Sequence, residues 1–582
     1  MKNAIKNTKS YLPVIVLFFL FGGYTANAQK KDISITILET TDVHGSFFPY
    51  DLVKERVPYG SMSQVSTYVN GLREQDTLNV ILLDNGDILQ GTPVVYYAGF
   101  ITKDSINPVA SMLNYMKYDA ETVGNHDIEA GHRIYDNYRK GLNFPLLGAN
   151  AIDSVSGKSY FSPYAIIKRK GLKIAVLGLV TPSIPEWLPE SLWSGMYFDD
   201  MIVSARKWVE IIKEKEKPDL MVGLFHAGLN PQYGGADPNA PFNENASMLV
   251  ADQVPGFDIV FSGHDHRKKV LVIQNIDSKQ VLVLNAGAHA EYVARADIRL
   301  HWDKDKKQWH KKLSGSLVKM KDIPADSAFL KKFDYWFEGT KKYVSEEITV
   351  LDSDIKAEEA LYGPSAFVDM IHKAQLEISG ADISFAAPFS ISAVLKKGEF
   401  TRAGLFNLYK YENFLCTIKL KGSEIKKYME YSTDLWFDTC LNARGNWLLL
   451  GEKDNSKDSY IKLKNSYYNF DSGAGLHYII TPDARRGSRV KITSMADGSP
   501  FDMDKTYTVV LNSYRASGGG GHLTEGAGLA KEELKSRLIK CTKDDFRNLL
   551  GDWLASREKP FKPEALGLWK VINDENNETK GN

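Results

Sequence analysis

Short apolar runs that stop abruptly at Gly and polar residues recur through the first 320 positions. Residues 33–38, 80–83, 220–225 and 259–261 are such runs, and each leads within a few positions into Asp or His. Runs this short, bounded by turn formers, predict buried strands. Residues 61–72 and 201–215 instead carry apolar positions at helical spacing, which predicts amphipathic helices. Alternation of the two patterns predicts an α/β domain over residues 31–320. The pattern changes over residues 323–356, where Lys, Glu and aromatics dominate, as in Phe329-Leu-Lys-Lys-Phe333 and Tyr335-Trp-Phe337. Little β-alternation remains there, and a linker helix lying on the surface is expected. A second globular pattern runs over residues 357–570, and the polar residues 574–582 predict a frayed end. No repeat, heptad array or low-complexity tract interrupts this order.

At 582 residues the chain is too long for one ordinary core. Its 43% hydrophobic and 25% charged content are those of a globular protein. The first 28 residues stand apart. Lys2, Lys6 and Lys9 precede the apolar residues 12–21, and Ala26-Asn-Ala28 offers a small-x-small cleavage site. This is the pattern of a secretory signal peptide. The apolar run is shorter than the roughly 20 residues of a spanning helix, so cleavage is expected, with no stable membrane insertion afterwards. No Cys follows the run to take a lipid anchor. The mature chain is therefore expected to be exported, to the periplasm. Cleavage leaves 69 basic against 72 acidic residues, a formal charge of −3. Nothing in that balance favours a nucleic acid polymer as partner. Three cysteines, Cys416, Cys440 and Cys541, are no disulfide framework; one bridge is compatible with them, without an indication of which pair.

The chemistry is concentrated in five segments at the ends of predicted strands: Asp42-Val-His44, Gly86-Asp87, Gly124-Asn-His-Asp127, His226-Ala-Gly228 and Gly263-His-Asp-His266. Five of the twelve histidines fall inside them. A lone Asp-x-His or Gly-Asn-His-Asp is usually a turn with a helix cap, but five such segments in one order are not. Loops at the carboxyl ends of strands bring distant residues together in α/β domains. Carboxylates and imidazoles without thiolates form a donor set that suits Mn, Zn, Fe or Co. Two such ions sharing a carboxylate clamp an in-line displacement at phosphorus. Asp84, before Asn85-Gly86, reads as a turn residue, and Asp127 as a cap for the segment after it. His289 reads either as a neighbour of the site or as a structural histidine.

On these segments the sequence resembles the calcineurin-like metallophosphoesterases, in particular the secreted branch of 5′-nucleotidases and 2′,3′-cyclic-nucleotide 2′-phosphodiesterase/3′-nucleotidases. The resemblance implies a four-layer α/β/β/α catalytic sandwich, a linker helix and a C-terminal α/β nucleoside-binding domain. It implies two divalent ions: Asp42, His44, Asp87 and His266 on one, and Asp87, Asn125, His226 and His264 on the other. Asp87 is then the bridge. His126 matches the family's catalytic histidine, which stabilises transition-state oxygens or assists the leaving group. Its partner is often an Asp three residues on; here that position is Glu129, one methylene longer. The implied reaction is phosphoester hydrolysis by a metal-activated water, without a covalent intermediate.

In the second half, Ser384-Phe-Ala-Ala-Pro-Phe389, Leu408-Tyr-Lys-Tyr-Glu-Asn413, Tyr468-Asn-Phe-Asp471 and Asn512-Ser-Tyr-Arg-Ala516 followed by residues 518–521 are similar to that family's nucleoside-binding domain. The resemblance implies that Tyr411 and Tyr514 sandwich the base, with Asn413 bonding the base or shaping its loop. Stacking accepts any base, each contact being worth about 1–3 kcal/mol in single-stranded nucleic acid sites. Typical 5′-nucleotidases carry Gly-Gly-Gly-Ile-Arg, whose Arg grips the phosphate. The stretch here is Ala387-Pro-Phe-Ser-Ile-Ser-Ala393, and residues 360–369 also lack Arg. Losing guanidinium contacts weighs toward the cyclic phosphodiesterase/3′-nucleotidase branch. The alternatives are a 5′-nucleotidase or broad nucleotide/UDP-sugar hydrolase, a nucleotide-binding protein without catalysis, and a sulfur-compound hydrolase of similar architecture.

Overall fold

The computed structural model describes residues 32–102, 107–306, 308–442, 445–451 and 462–573. The expected signal peptide and frayed C-terminus lie outside them.

The apolar runs form the middle strands of two six-stranded sheets. In the first, the spatial order is Gln308–Lys319, Tyr292–Asp303, Ile33–Thr40, Val80–Asp84, Ala120–Thr122, Leu146–Leu147; the last four strands are parallel. In the second it is Lys268–Gln274, Gln280–Ala286, Ile259–Ser262, Leu220–His226, Leu172–Val180, Tyr164–Arg169, with four parallel strands in the middle. The sheets meet face to face through Ile35, Ile37, Ile81 and Leu83 on one side and Val222, Leu224, Ile259 and Phe261 on the other. Helices Met62–Gln75, Pro108–Met116 and His132–Gly141 cover the outer face of the first sheet, and Met201–Lys215 and Ser247–Gln253 that of the second. Sheets buried on both faces need strands that are apolar on both sides. That is why these strands read as continuous apolar runs.

The four-layer sandwich has one chemical consequence. Strands Ile33–Thr40, Val80–Asp84, Ala120–Thr122, Leu220–His226 and Ile259–Ser262 all run in the same sense within their sheets, so their carboxyl ends share one edge. All five polar segments begin there.

The linker differs from expectation. The helix is Ser327–Val344, and a strand Glu347–Leu351 follows it, pairing antiparallel with Gly398–Thr401. The β-branched Ile348-Thr349-Val350 favours that extended state over continued helix. Nor does the helix only lie on the surface: Phe329 and Phe333 are fully buried in the core of the first half, and Tyr343 packs with Tyr96 and Phe406.

The second half is built on a five-stranded sheet, Ser472–Ala474, Ile383–Ala386, Thr506–Asn512, Phe414–Lys421, Leu538–Asp545, with helices Ala366–Ser379, Gly422–Trp436 and Phe546–Ala555 packed on it. Cys416 and Cys541 lie opposite each other on adjacent strands and form a disulfide; Cys440 is free and exposed. No helix among the described residues is long and apolar enough to cross a membrane.

Candidate metal centre and substrate cleft

The strand-end segments are bent sharply. Asp42, His44, Asp87, His264 and His266 all have φ between 47° and 71°, the left-handed region that side chains with a Cβ rarely adopt. Backbone strain of this kind gathers where surrounding contacts over-determine it. Here the contacts are backbone bonds between segments: Asp42 N–H to Gly86 O and His44 N–H to Asp87 O, each 2.9 Å. The Asp127 carboxylate accepts from Asp87, Ile88 and Leu89 N–H at 2.9 Å and Gly124 N–H at 2.7 Å. Asp127 therefore does more than cap its own short helix: it clamps the loop that carries Asp87. Asp84 serves its turn as read, accepting from Gly86 N–H at 3.0 Å and from the Thr40 hydroxyl.

Two groups of donors result. Asp42, His44 and His266 converge in one, and Asp87, His226 and His264 in the other, the atoms of each group lying within 4.8 Å of one another. His44 Nδ1 faces Gln90 O at 3.1 Å while its Nε2 lies 3.0 Å from His266 Nε2, and His266 Nε2 is 3.3 Å from Asp42 Oδ1. In the second group His226 Nε2 is 3.1 Å from Asp87 Oδ2 and 3.2 Å from Asn125 Oδ1, and His264 Nδ1 is 2.9 Å from the same amide oxygen. His226 Nδ1 bonds to Asn85 O at 2.5 Å, and His264 Nε2 lies 3.0 Å from Glu244 Oε1. With one ring nitrogen tied to a backbone or carboxylate oxygen, His44, His226 and His264 each turn the other toward their group. This is the arrangement that orients metal-binding imidazoles.

Acceptor atoms packed this closely repel unless a cation or proton lies among them. Burial disfavours an imidazolium at His226, but the Asp87 carboxylate against it raises the ring to about 10. Burial would likewise raise Asp42, yet His266 and His226 hold it at about 2. In each group an ionised carboxylate is matched by a raised imidazole, whose proton a divalent ion would displace. The residues fit a pair of such ions: Asp87 belongs to the second group, its Oδ1 accepting from His126 N–H at 2.7 Å while Oδ2 faces His226, and its charge also acts on Asp42 and His44 of the first.

His126 is about a quarter exposed, with Nδ1 hydrogen-bonded to the buried Glu129 carboxylate. The longer side chain reaches. Burial works against a charge on His126, but Asp87 and Glu129 outweigh it and raise the ring to about 9. His289 lies beside the first group, its ring 5.5 Å from His44 and 6.0 Å from His266, with its N–H on Asp42 O at 2.8 Å. Glu244 and Trp187, which stacks on His264 at 5.4 Å and 17°, carry no motif, so sequence patterns did not single them out.

Aromatics of the second half lie close to these groups. Tyr411 follows helix Arg402–Leu408 and meets Phe389 and Tyr468 edge-on at 5.8 and 6.4 Å. Burial raises its hydroxyl, with contributions from Tyr467, Tyr468, Glu129 of the catalytic half and Tyr514. Tyr514 lies on the short helix Ser513–Ala516, which packs against Ile184–Trp187, the turn whose Trp187 stacks on His264. Gly519 is required there, because a Cβ would come within 2.5 Å of the Tyr514 ring. Arg515 anchors this wall. It pairs with Asp471 at 2.9 and 3.1 Å and donates to Tyr468 O at 2.6 Å and Gly519 O at 3.0 Å. Asn413 is buried, and its backbone carbonyl accepts from Phe546 N–H at 2.7 Å, which ties this loop to helix Phe546–Ala555.

Comparison with known proteins agrees with both halves. Residues 35–268 match the family described as calcineurin-like phosphoesterase, and residues 344–525 that described as 5′-nucleotidase, C-terminal domain.

The chain belongs to the calcineurin-like phosphoesterases that carry a 5′-nucleotidase C-terminal domain. It is 26% identical to a 2′,3′-cyclic-nucleotide 2′-phosphodiesterase/3′-nucleotidase of Yersinia enterocolitica, over 97% of this chain and 92% of that one. It is 25% identical to the trifunctional nucleotide phosphoesterase YfkN of Bacillus subtilis over 96% of its own length, but spans only 40% of that larger protein. The fold is that of a Staphylococcus aureus protein assigned as a 5′-nucleotidase, with a TM-score of 0.75 and 24% identity over 93% of this chain and all of that one. This phosphoesterase is a hydrolase of the metal-dependent class.

Proposed function

We propose that this phosphoesterase is exported to the periplasm and hydrolyses 2′,3′-cyclic nucleotides and 3′-nucleotides to nucleoside and phosphate. What supports the reading is that Tyr411 and Tyr514 lie close enough to the catalytic half to feel Glu129 and Glu244, the carboxylates bonded to His126 and His264 beside the two Asp/His groups. An aromatic clamp suits a planar base, and the metal groups suit the phosphoester attached to it. Asp42, His44, Asp87 and His266 would hold one divalent ion, and Asp87, Asn125, His226 and His264 the other. When bound, the ions supply Lewis acidity and an activated water. His126, held by Glu129, donates toward the oxygens on which charge develops. Tyr411 and Tyr514 orient the nucleoside, and Asn413 fixes the loop that presents Tyr411.

The absence of Arg from residues 387–393 favours cyclic and 3′-esters over 5′-monophosphates. The 5′-nucleotidase C-terminal match keeps 5′-nucleotide hydrolysis as the second reading. Product release from 2′,3′-cyclic AMP, 3′-AMP and 5′-AMP by the mature chain with added Mn separates them. Turnover of the first two with little of the third is expected; dominant 5′-AMP hydrolysis overturns the preference, and no turnover of any overturns the nucleotidase reading.

A further inference from the structure

The loop that presents Tyr411 is not held by its own half alone. Arg547, on helix Phe546–Ala555, is buried and donates through Nε to Tyr409 O at 2.8 Å and through Nη2 to Lys410 O at 2.6 Å; Nη2 also pairs with Glu412 Oε1 at 2.8 Å. One guanidinium therefore grips three residues around Tyr411. Its plane lies 4.1 Å over Phe406 and 5.1 Å from the ring of Tyr96, a residue of the catalytic half. The Tyr96 hydroxyl donates to Asp545 Oδ2 at 2.7 Å, a buried bond between residues 449 apart in sequence. Asp545 also caps the Arg547 helix, accepting from Asn548 N–H at 3.1 Å.

On the other side Tyr96 is four residues from Thr92, whose N–H donates to His44 O at 3.1 Å and whose hydroxyl donates to Gly45 O at 2.8 Å. A continuous path thus runs from the backbone of His44 through helix Pro93–Tyr96 to Asp545, Arg547 and the carbonyls of Tyr409 and Lys410. Glu412 sits at its end, facing Glu129 and His126.

We propose that Tyr96, Asp545 and Arg547 form a cross-domain clasp that fixes the Tyr411 loop at its working distance from the metal groups, so that they are positioning residues for nucleotide substrates. The proposal rests on the reading of Tyr411 as a nucleoside contact. Tyr96→Phe deletes one hydrogen bond and keeps the ring packing; Arg547→Lys keeps the charge but loses the fork that reaches two carbonyls. Each raises the nucleotide KM by about ten-fold, the scale of one charge-assisted hydrogen bond, and leaves hydrolysis of p-nitrophenyl phosphate unchanged. In an Asp545→Ala background, where the Tyr96 bond has gone together with the helix cap, Tyr96→Phe adds no further loss, because the bond it would break is already absent. Amide exchange of residues 409–413 rises in each variant without added substrate.

Equal loss toward nucleotide and p-nitrophenyl phosphate, additive effects of the pair, or unchanged exchange in the loop would each overturn the clasp. If the parent protein turns over p-nitrophenyl phosphate but no nucleotide while Tyr96→Phe still releases the loop, the nucleoside reading fails and the clasp stands.

Discussion

At the scale of single residues, Asp87 bears the most. It belongs to the second donor group, acts electrostatically on Asp42 and His44 of the first, is fully buried, and receives His126 N–H on one oxygen and His226 on the other. Asp87→Ala is expected to reduce kcat to background with native circular dichroism; full metal-dependent activity in that variant would refute the assignment. Asp127 supports it indirectly through four backbone N–H bonds. Asp127→Ala should lower metal affinity or kcat by about 10- to 100-fold, the usual effect of removing a partner that orients a ligand. The Asp/His/Asn segments were legible in the sequence because their types and strand-end positions are dictated by chemistry. Asp127 was read as a cap because its further acceptor role depends on a loop 40 residues away. Glu244 and Trp187 had no local pattern to announce them.

At the scale of elements, the Gly-rich turn after Tyr514 leaves room for the ring that is proposed to stack on the base. Gly519→Ala would push the Tyr514 ring by sub-contact distance; nucleotide KM should rise several-fold while p-nitrophenyl phosphate hydrolysis is unaffected. The C-terminal core carries two buried neutral histidines. Burial lowers both His372, set between Ser384 and Ser472 at 2.9 and 3.0 Å, and His522 to about 3. A histidine depressed in the folded state adds stability that is complete above its unfolded value near 6.5 and is lost as pH falls toward 3. Each should contribute a slope of up to about 1.4 kcal/mol per pH unit in that window. Urea unfolding between pH 7 and 4.5 checks this: His372→Gln should flatten the dependence, and an unchanged slope would contradict it. Strand positions were legible from apolar runs, but the end of the helix Ser327–Val344 was not. Lys and aromatic content favoured helix through residue 356, whereas pairing of Glu347–Leu351 with Gly398–Thr401 decided the outcome.

At the scale of the whole molecule, the two halves are joined by bonds of unequal weight. Lys531–Glu186 at 2.8 Å and Lys535–Glu190 at 2.6 Å bridge them at the exposed rim; such pairs contribute about 0–1 kcal/mol. The Tyr96–Asp545 contact is buried instead. Within the second half, the Cys416–Cys541 disulfide closes a separation of 125 residues. Its loss is expected to destabilise by about 2–4 kcal/mol, seen as a lower Tm under reducing conditions. The two-domain order and the cleft chemistry were legible from sequence, but the joint was not, since Tyr96 and Asp545 belong to no motif and meet only in three dimensions.

The most direct test of the central claim is a titration of metal-stripped protein with Mn, following bound metal and phosphate release from 3′-AMP together. Two ions bound per chain, with activity appearing as the second site fills and Asp87→Ala failing to bind the pair, is the predicted result. Full activity in metal-free protein, or a single bound ion at saturating activity, would contradict a dinuclear centre.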